Sequence, residues 1–150
     1  VLGSKEIMDL PDVGSMSSTH SANPLVCAAG KANFDFILQE KLIEKAHTLG
    51  TILIEKLNEI KNLFPDHIGL ISGKGLIAAI HFRDTTGKPL VELCNDVCET
   101  LVYRGLLVVN TGRETIKIGP PLVITQEALL EGLDAIQEAI ADCIKKGPRA

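Results

Sequence analysis

The pattern that most restricts this chain lies between residues 38 and 64. Leu38, Leu42, Ala46, Leu49, Leu53, Leu57, Ile60 and Phe64 recur at steps of three and four, with Lys41, Glu44, Lys45, Glu55, Lys56 and Glu59 between them. Such steps gather side chains on one face of a helix, so the stripe predicts a long amphipathic helix that needs an apolar partner along its length. Pro65-Asp66 is the expected stop, because a proline inside a helix has no N–H to give and clashes with the preceding turn.

The partner is supplied downstream. Ile68 to Ser72 and Leu76 to Phe82 read as two short strands split by Gly73-Lys74-Gly75 and able to pair antiparallel, and Asp84-Thr85-Thr86-Gly87 reads as a polar turn. Pro89 to Tyr103 reads as a helix stopped at Gly105. Leu106 to Val109 is the next expected strand, and Thr115 to Ile118 another, entered through Thr111-Gly112-Arg113. Thr125 is a plausible cap for a last helix whose stripe is Leu129, Leu133, Ile136, Ile140 and Ile144, ended by Lys145-Lys146-Gly147-Pro148. Ahead of all this stand a short helix around Ser4 to Asp9, a loop through Asn23, and an Ala-rich helix to about Phe36. The order predicts an α+β fold, an antiparallel sheet packed on helices.

Hydrophobic residues make up 45% of the chain and aromatics only 3%, so the core must be aliphatic. The net charge is −4 and the Lys and Arg residues are scattered among acids, which argues against a nucleic-acid partner. No apolar run is long enough to span a bilayer, and the first residues lack the basic-then-apolar order of a secretory signal; no membrane partner and a cytoplasmic location are expected. Cys27, Cys94, Cys98 and Cys143 fall in apolar helical patterns and are expected as reduced core thiols. Cys94 and Cys98 share a helix face, yet no neighbouring pair completes a tetrahedral set, so no metal site is expected.

The chemistry-bearing segment is the hydroxyl-rich loop Gly14-Ser15-Met16-Ser17-Ser18-Thr19-His20-Ser21-Ala22-Asn23-Pro24. Asn23 suits a helix cap and Pro24 the first helical position. The positive end of that helix and its free donors lie close to the hydroxyls of Ser17, Ser18 and Thr19, an arrangement that suits a phosphate. Gly73-Lys74-Gly75 lacks the spacing and the hydroxyl residue of a phosphate loop and reads as a turn. His67 and His81, alone beside apolar strands, read as structural.

This loop, together with Gly119-Pro120-Pro121-Leu122-Val123-Ile124-Thr125, resembles the class III aminotransferases, pyridoxal-phosphate enzymes of fold type I. Val1-Leu2-Gly3-Ser4-Lys5-Glu6-Ile7-Met8, Gly73-Lys74-Gly75-Leu76 and Arg104-Gly105-Leu106-Leu107 extend the resemblance in the family's order over nearly the whole chain. It implies the C-terminal portion of such an enzyme. Residues 1–36 would be the edge of the large cofactor domain, carrying the phosphate-contacting loop, and residues 37–150 the small C-terminal domain.

The resemblance further implies pyridoxal 5'-phosphate as cofactor and a homodimer in which Thr19, with Ser18 beside it, contacts the cofactor phosphate of the neighbouring subunit. His20 stands where the family often has an aromatic residue and is expected to pack. The cofactor-binding lysine is placed upstream of Val1; Lys5 and Lys31 do not match it, so no catalytic residue is expected in this chain and the chain alone is expected to be inactive. Many members that act on α-amino acids carry a carboxylate-gripping arginine where this sequence has Lys117. Lysine keeps the charge and loses the planar fork, which leaves Lys117 either a substrate-binding residue of a different kind or an exposed strand lysine, with Arg113 a compensating candidate. The implied reaction moves an amino group from an amine or an ω- or α-amino acid to a keto acid, with 4-aminobutyrate, ornithine derivatives and other ω-amino compounds as donors. The alternative is a non-catalytic dimerisation domain of the same architecture.

Overall fold

The structure is a computed structural model that describes residues 3–15, 18–20 and 23–147. Ser17 of the hydroxyl loop, Val1-Leu2 of the leading match and the expected stop at Pro148 lie outside the described residues. The chain divides into two compact units, residues 1–40 and residues 41–150.

The first unit holds a short helix α1 (Lys5–Met8) and helix α2 (Pro24–Gln39). Asn23 caps α2 as expected, its Oδ1 accepting the Leu25 N–H at 2.9 Å, with Pro24 in the first helical position. The helix runs past Phe36 to Gln39, and the chain then breaks at Lys41, whose φ of 51° is left-handed. Leu38 therefore belongs to α2, where it is exposed, and not to the stripe that follows. Neither Gly nor Pro marks that break. None of the described residues of this unit is buried; Leu25, Val26, Phe34 and Phe36 are exposed, as is Cys27, which is thus not a core thiol.

The second unit contains α3 (Leu42–Leu63), β1 (Ile68–Lys74), β2 (Ile77–Phe82), α4 (Val91–Tyr103), β3 (Val109–Asn110), β4 (Thr115–Ile118) and α5 (Gln126–Lys146). The four strands form one sheet in the order β1-β2-β4-β3, each neighbouring pair antiparallel. An α+β fold with helices on an antiparallel sheet is what the order of elements predicts. Helices α3 and α4 pack on the sheet and α5 packs on both helices. The core is aliphatic: Leu53, Leu57 and Ile60 of α3, Ile80 and Phe82 of β2, Val97 and Leu101 of α4, Ile116 of β4, and Leu133, Ile136 and Ile140 of α5 are almost wholly buried.

Two local chemistries shape this unit. Thr125 caps α5, its hydroxyl accepting the Ala128 N–H at 3.2 Å. At the end of α4, Gly105 takes a positive φ of 79°, its N–H bonds to the Val102 carbonyl at 3.1 Å, and the Leu106 N–H reaches the Leu101 carbonyl at 2.9 Å. That paired closure satisfies helix carbonyls that have no intrahelical donor. It also consumes Leu106, so the strand expected over Leu106 to Val109 pairs only at Val109–Asn110.

Strand parity then sorts the sheet into two faces. Ala78, Ile80, Phe82, Ile116 and Ile118 are buried on the helix side. Ile77, Ala79 and His81 of β2 and Thr115 and Lys117 of β4 alternate onto the other face, where Ile77 and Lys117 are exposed. Among the described residues of the sheet, the side chains buried against the helices are those of the opposite face.

Candidate functional site

In the first unit the hydroxyl loop ends in a small set of local bonds. The His20 N–H points to Ser18 Oγ at 3.4 Å, the Asn23 N–H donates to the His20 carbonyl at 3.3 Å, and the Cys27 N–H closes the first helical turn on the Asn23 carbonyl at 2.9 Å. Ser18, Thr19 and His20 are exposed, and the Thr19 hydroxyl has no hydrogen-bond partner among the described residues. The donors near the start of the 16-residue helix α2 are thus hydroxyls and amide N–H groups, with no carboxylate in the segment 18–20, a set whose chemistry fits a phosphate. Lys5 and Lys31, both exposed, form ion pairs with Asp9 and Asp35 one turn on along their own helices.

In the second unit Lys117 pairs in register with Ala79 of β2 and with Val109 of β3. Its backbone lies in the middle of the sheet while its side chain stands on the open face, between one small and one aliphatic neighbour. Among the described residues it has no hydrogen-bond or ion-pair partner. Two residues further along, Gly119-Pro120-Pro121 leaves the sheet and, with Leu106, Val108, Ile124 and Leu133, lines an apolar cavity of about 230 Å³.

Arg113, the second cationic candidate, is exposed just before β4. Its charge acts on Glu114, which is only 7% exposed and accepts from Arg83 at 2.6 Å (Nη2) and 3.2 Å (Nε). The backbone N–H of Glu114 and then the Arg83 guanidinium hold that carboxyl below the usual glutamate range. This pair ties the end of β2 to the start of β4, and the composition of the sequence offered no sign of it.

His81 carries the other feature that single residues did not announce. Its Nε2 lies 3.0 Å from Ser72 Oγ and its Nδ1 3.2 Å from Thr115 Oγ1, so one imidazole bridges β1, β2 and β4 on the open face. Alternation with Ile80 and Phe82 placed His81 away from the core; only the strand register supplied its partners. His67 lines a cavity of about 460 Å³ with Lys88, Glu92 and Asp96.

The four cysteines are free. Cys94 and Cys98 lie one turn apart on α4; the neighbouring thiol and burial push the Cys94 thiol up, and the influence of Cys94 holds the Cys98 thiol down. Among the described residues no group of three or more His, Cys, Asp or Glu side chains gathers closely enough for a metal ion, and no helix is long and apolar enough to cross a membrane.

Comparison with known proteins places these features in a family context. The family model described as aminotransferase class-III matches residues 1–140. The chain is 36% identical over 140 residues to a mitochondrial ornithine aminotransferase of Arabidopsis thaliana, covering 93% of this chain and 29% of that protein. It is equally 36% identical over 146 residues to an alanine/serine racemase of Pyrococcus horikoshii, covering 96% of this chain and 30% of that protein. Among solved structures, an acetylornithine aminotransferase from Elizabethkingia anophelis superposes with a TM-score of 0.78 at 34% identity, covering 94% of this chain and 34% of that one. The chain therefore spans about a third of the length of the relatives it matches.

Proposed function

Because the chain belongs to the class III aminotransferases, we propose that it forms the C-terminal portion of a pyridoxal-phosphate-dependent enzyme that moves an amino group from an amino donor to a keto acid. The observation that carries this reading is the family match from residue 1 to residue 140, which takes in both the hydroxyl loop and the Pro-Pro strand exit. Residues 1–36 are assigned to the edge of the cofactor domain and residues 37–150 to the small domain.

Ser18 and Thr19 are assigned to the phosphate of pyridoxal 5'-phosphate across a homodimer interface. Their exposure at the approach to a capped helix supports this, since a phosphate draws short, charge-assisted hydrogen bonds from small hydroxyls on a fixed loop. The cofactor, when bound, supplies the electron sink for the chemistry at the substrate's amino-bearing carbon. This chain's share is to hold the phosphate and to bind the substrate. Its catalytic lysine is assigned to the part of the protein outside this chain, so the chain alone is inactive.

Lys117 is assigned to the substrate carboxylate. Its support is position: an exposed cation with no counter-ion among the described residues, on the face of the sheet turned away from the core and next to the Pro-Pro exit. The donors assigned are ornithine derivatives, 4-aminobutyrate and related ω-amino compounds, and the location assigned is the cytoplasm, where reduced thiols persist.

The similarity to an alanine/serine racemase favours a second reading in which the same cofactor serves racemisation. Both readings are tested on the full-length protein by supplying one amino acid with and without a keto acid. Amino-group transfer that depends on the keto acid supports the first. Loss of optical activity without a keto acid supports the second and overturns the first.

A further inference from the structure

The open face of the sheet carries more than a single cation. Ser72, His81 and Thr115 form a row across β1, β2 and β4 through contacts of 3.0 and 3.2 Å, and Thr115 lies two residues from Lys117 on the same face of β4. His81 pairs in register with Thr115 and Ala79 with Lys117, so His81 and Lys117 are diagonal neighbours. Such neighbours lie about 7–8 Å apart, within reach of a long side chain. Ala79, opposite Lys117, has a small side chain.

An ammonium group is a point donor, whereas a carboxylate presents two oxygens that a planar guanidinium can serve together. A lysine in this place leaves one oxygen to be served by another group. We infer that Lys117 and Thr115 form a two-donor grip on the substrate carboxylate, with His81 as a positioning residue that orients the Thr115 hydroxyl. The inference rests on the assignment of Lys117 to the substrate.

The row has a direction that makes this consistent. A neutral imidazole donates at one nitrogen and accepts at the other. With the proton on Nδ1, the Ser72 hydroxyl donates to Nε2, Nδ1–H donates to Thr115 Oγ1, and the Thr115 O–H is left to donate to a carboxylate oxygen. Each hydrogen bond in such a chain polarises the next. Thr115 is β-branched and holds few rotamers, so its hydroxyl is fixed at little further entropic cost. The ligand is the carboxylate of an amino or keto acid, and the group discriminated against is an amine without one.

The test uses the full-length enzyme with a dicarboxylic keto acid and, separately, with an amine donor that carries no carboxylate. Thr115→Val is expected to raise KM for the keto acid about tenfold, the scale of a lost hydrogen bond to a charged group, and to lower kcat far less. KM for the carboxylate-free amine should stay in place, and Thr115→Ser should restore the keto acid value. A purely structural role for Thr115 would move both substrates alike and would overturn the inference. If Lys117→Met raises KM while Thr115→Val does not, the two-donor grip is wrong and the Lys117 assignment stands. If neither variant changes KM, the assignment of Lys117 falls and the grip with it. Should Thr115→Val fail to fold, Ser72→Ala at the exposed end of the row takes its place. It is expected to raise KM two- to threefold, as roughly a fraction of one hydrogen bond, and an unchanged value overturns the proposal.

Discussion

Gly50 of α3 and Gly75 of the β1–β2 turn meet backbone against backbone: a Cβ placed on Gly50 would stand 2.5 Å from the Cα, carbonyl carbon and carbonyl oxygen of Gly75. Gly75 itself has a φ of +57°, a left-handed conformation that favours glycine, while a Cβ there would meet the Ala46 carbonyl oxygen at an ordinary 3.6 Å. The long helix can approach the hairpin turn this closely only because Gly50 lacks a Cβ.

Gly50→Ala is therefore expected to destabilise the protein by about 1–3 kcal/mol through overpacking against backbone that cannot yield. Gly132→Ala on α5 is the control. Its nearest neighbour would be Leu106 Cδ1 at 3.5 Å, an ordinary contact, and the change is expected to gain about 0.4–1 kcal/mol by restricting the unfolded chain. Denaturant titration of the two variants checks both signs.

The Arg83–Glu114 pair sets an acid limit. Glu114 has a folded pKa below its unfolded one, so its contribution to stability is complete above the ordinary glutamate value of about 4.3 and is lost as pH falls through the depressed pKa. Melting temperature measured from neutral pH downward is expected to drop in that acid window, and Glu114→Gln should flatten the drop while lowering stability at neutral pH. An identical acid profile in the variant would remove Glu114 from the account.

Thr125 supplies the Ala128 N–H, an orphan amide in the first turn of α5, with an acceptor. Thr125→Ala should cost about 1 kcal/mol and Thr125→Ser much less, read by denaturant titration. Equal losses in the two variants would mean that the hydroxyl is not what holds the helix start.

Burial and their mutual influence distinguish the thiols of Cys94 and Cys98. Cys98 is half-buried with a lowered pKa, while Cys94 is buried with a raised one. Alkylation followed by mass spectrometry should modify Cys98 well before Cys94, because the thiolate is the reactive form. Equal rates would show that the pair is not held as described.

The parts of the fold that were legible in advance are those written in local periodicity and local chemistry. The stripe from Leu42 to Ile60, the hairpin around Gly73-Lys74-Gly75 and the caps at Asn23 and Thr125 need only neighbours in sequence. The break at Lys41 was not legible, because a left-handed residue that is neither Gly nor Asn leaves no compositional mark. Leu106 looked like strand and was taken up by the closure of α4. Parity alone set Lys117 opposite Ile116 and Ile118. The partners of His81, the ion pair of Glu114 and the contact of Gly50 all depend on register and tertiary approach, which no stretch of residues encodes by itself.

The most direct measurement is cofactor retention in the full-length protein with Thr19→Ala against the unmodified protein, by equilibrium titration with pyridoxal 5'-phosphate. The assignment of the hydroxyl loop to the cofactor phosphate predicts a loss of about 1 kcal/mol or more, the scale of one hydrogen bond, with oligomeric state and melting temperature otherwise unchanged. Unchanged cofactor affinity in that variant would contradict it.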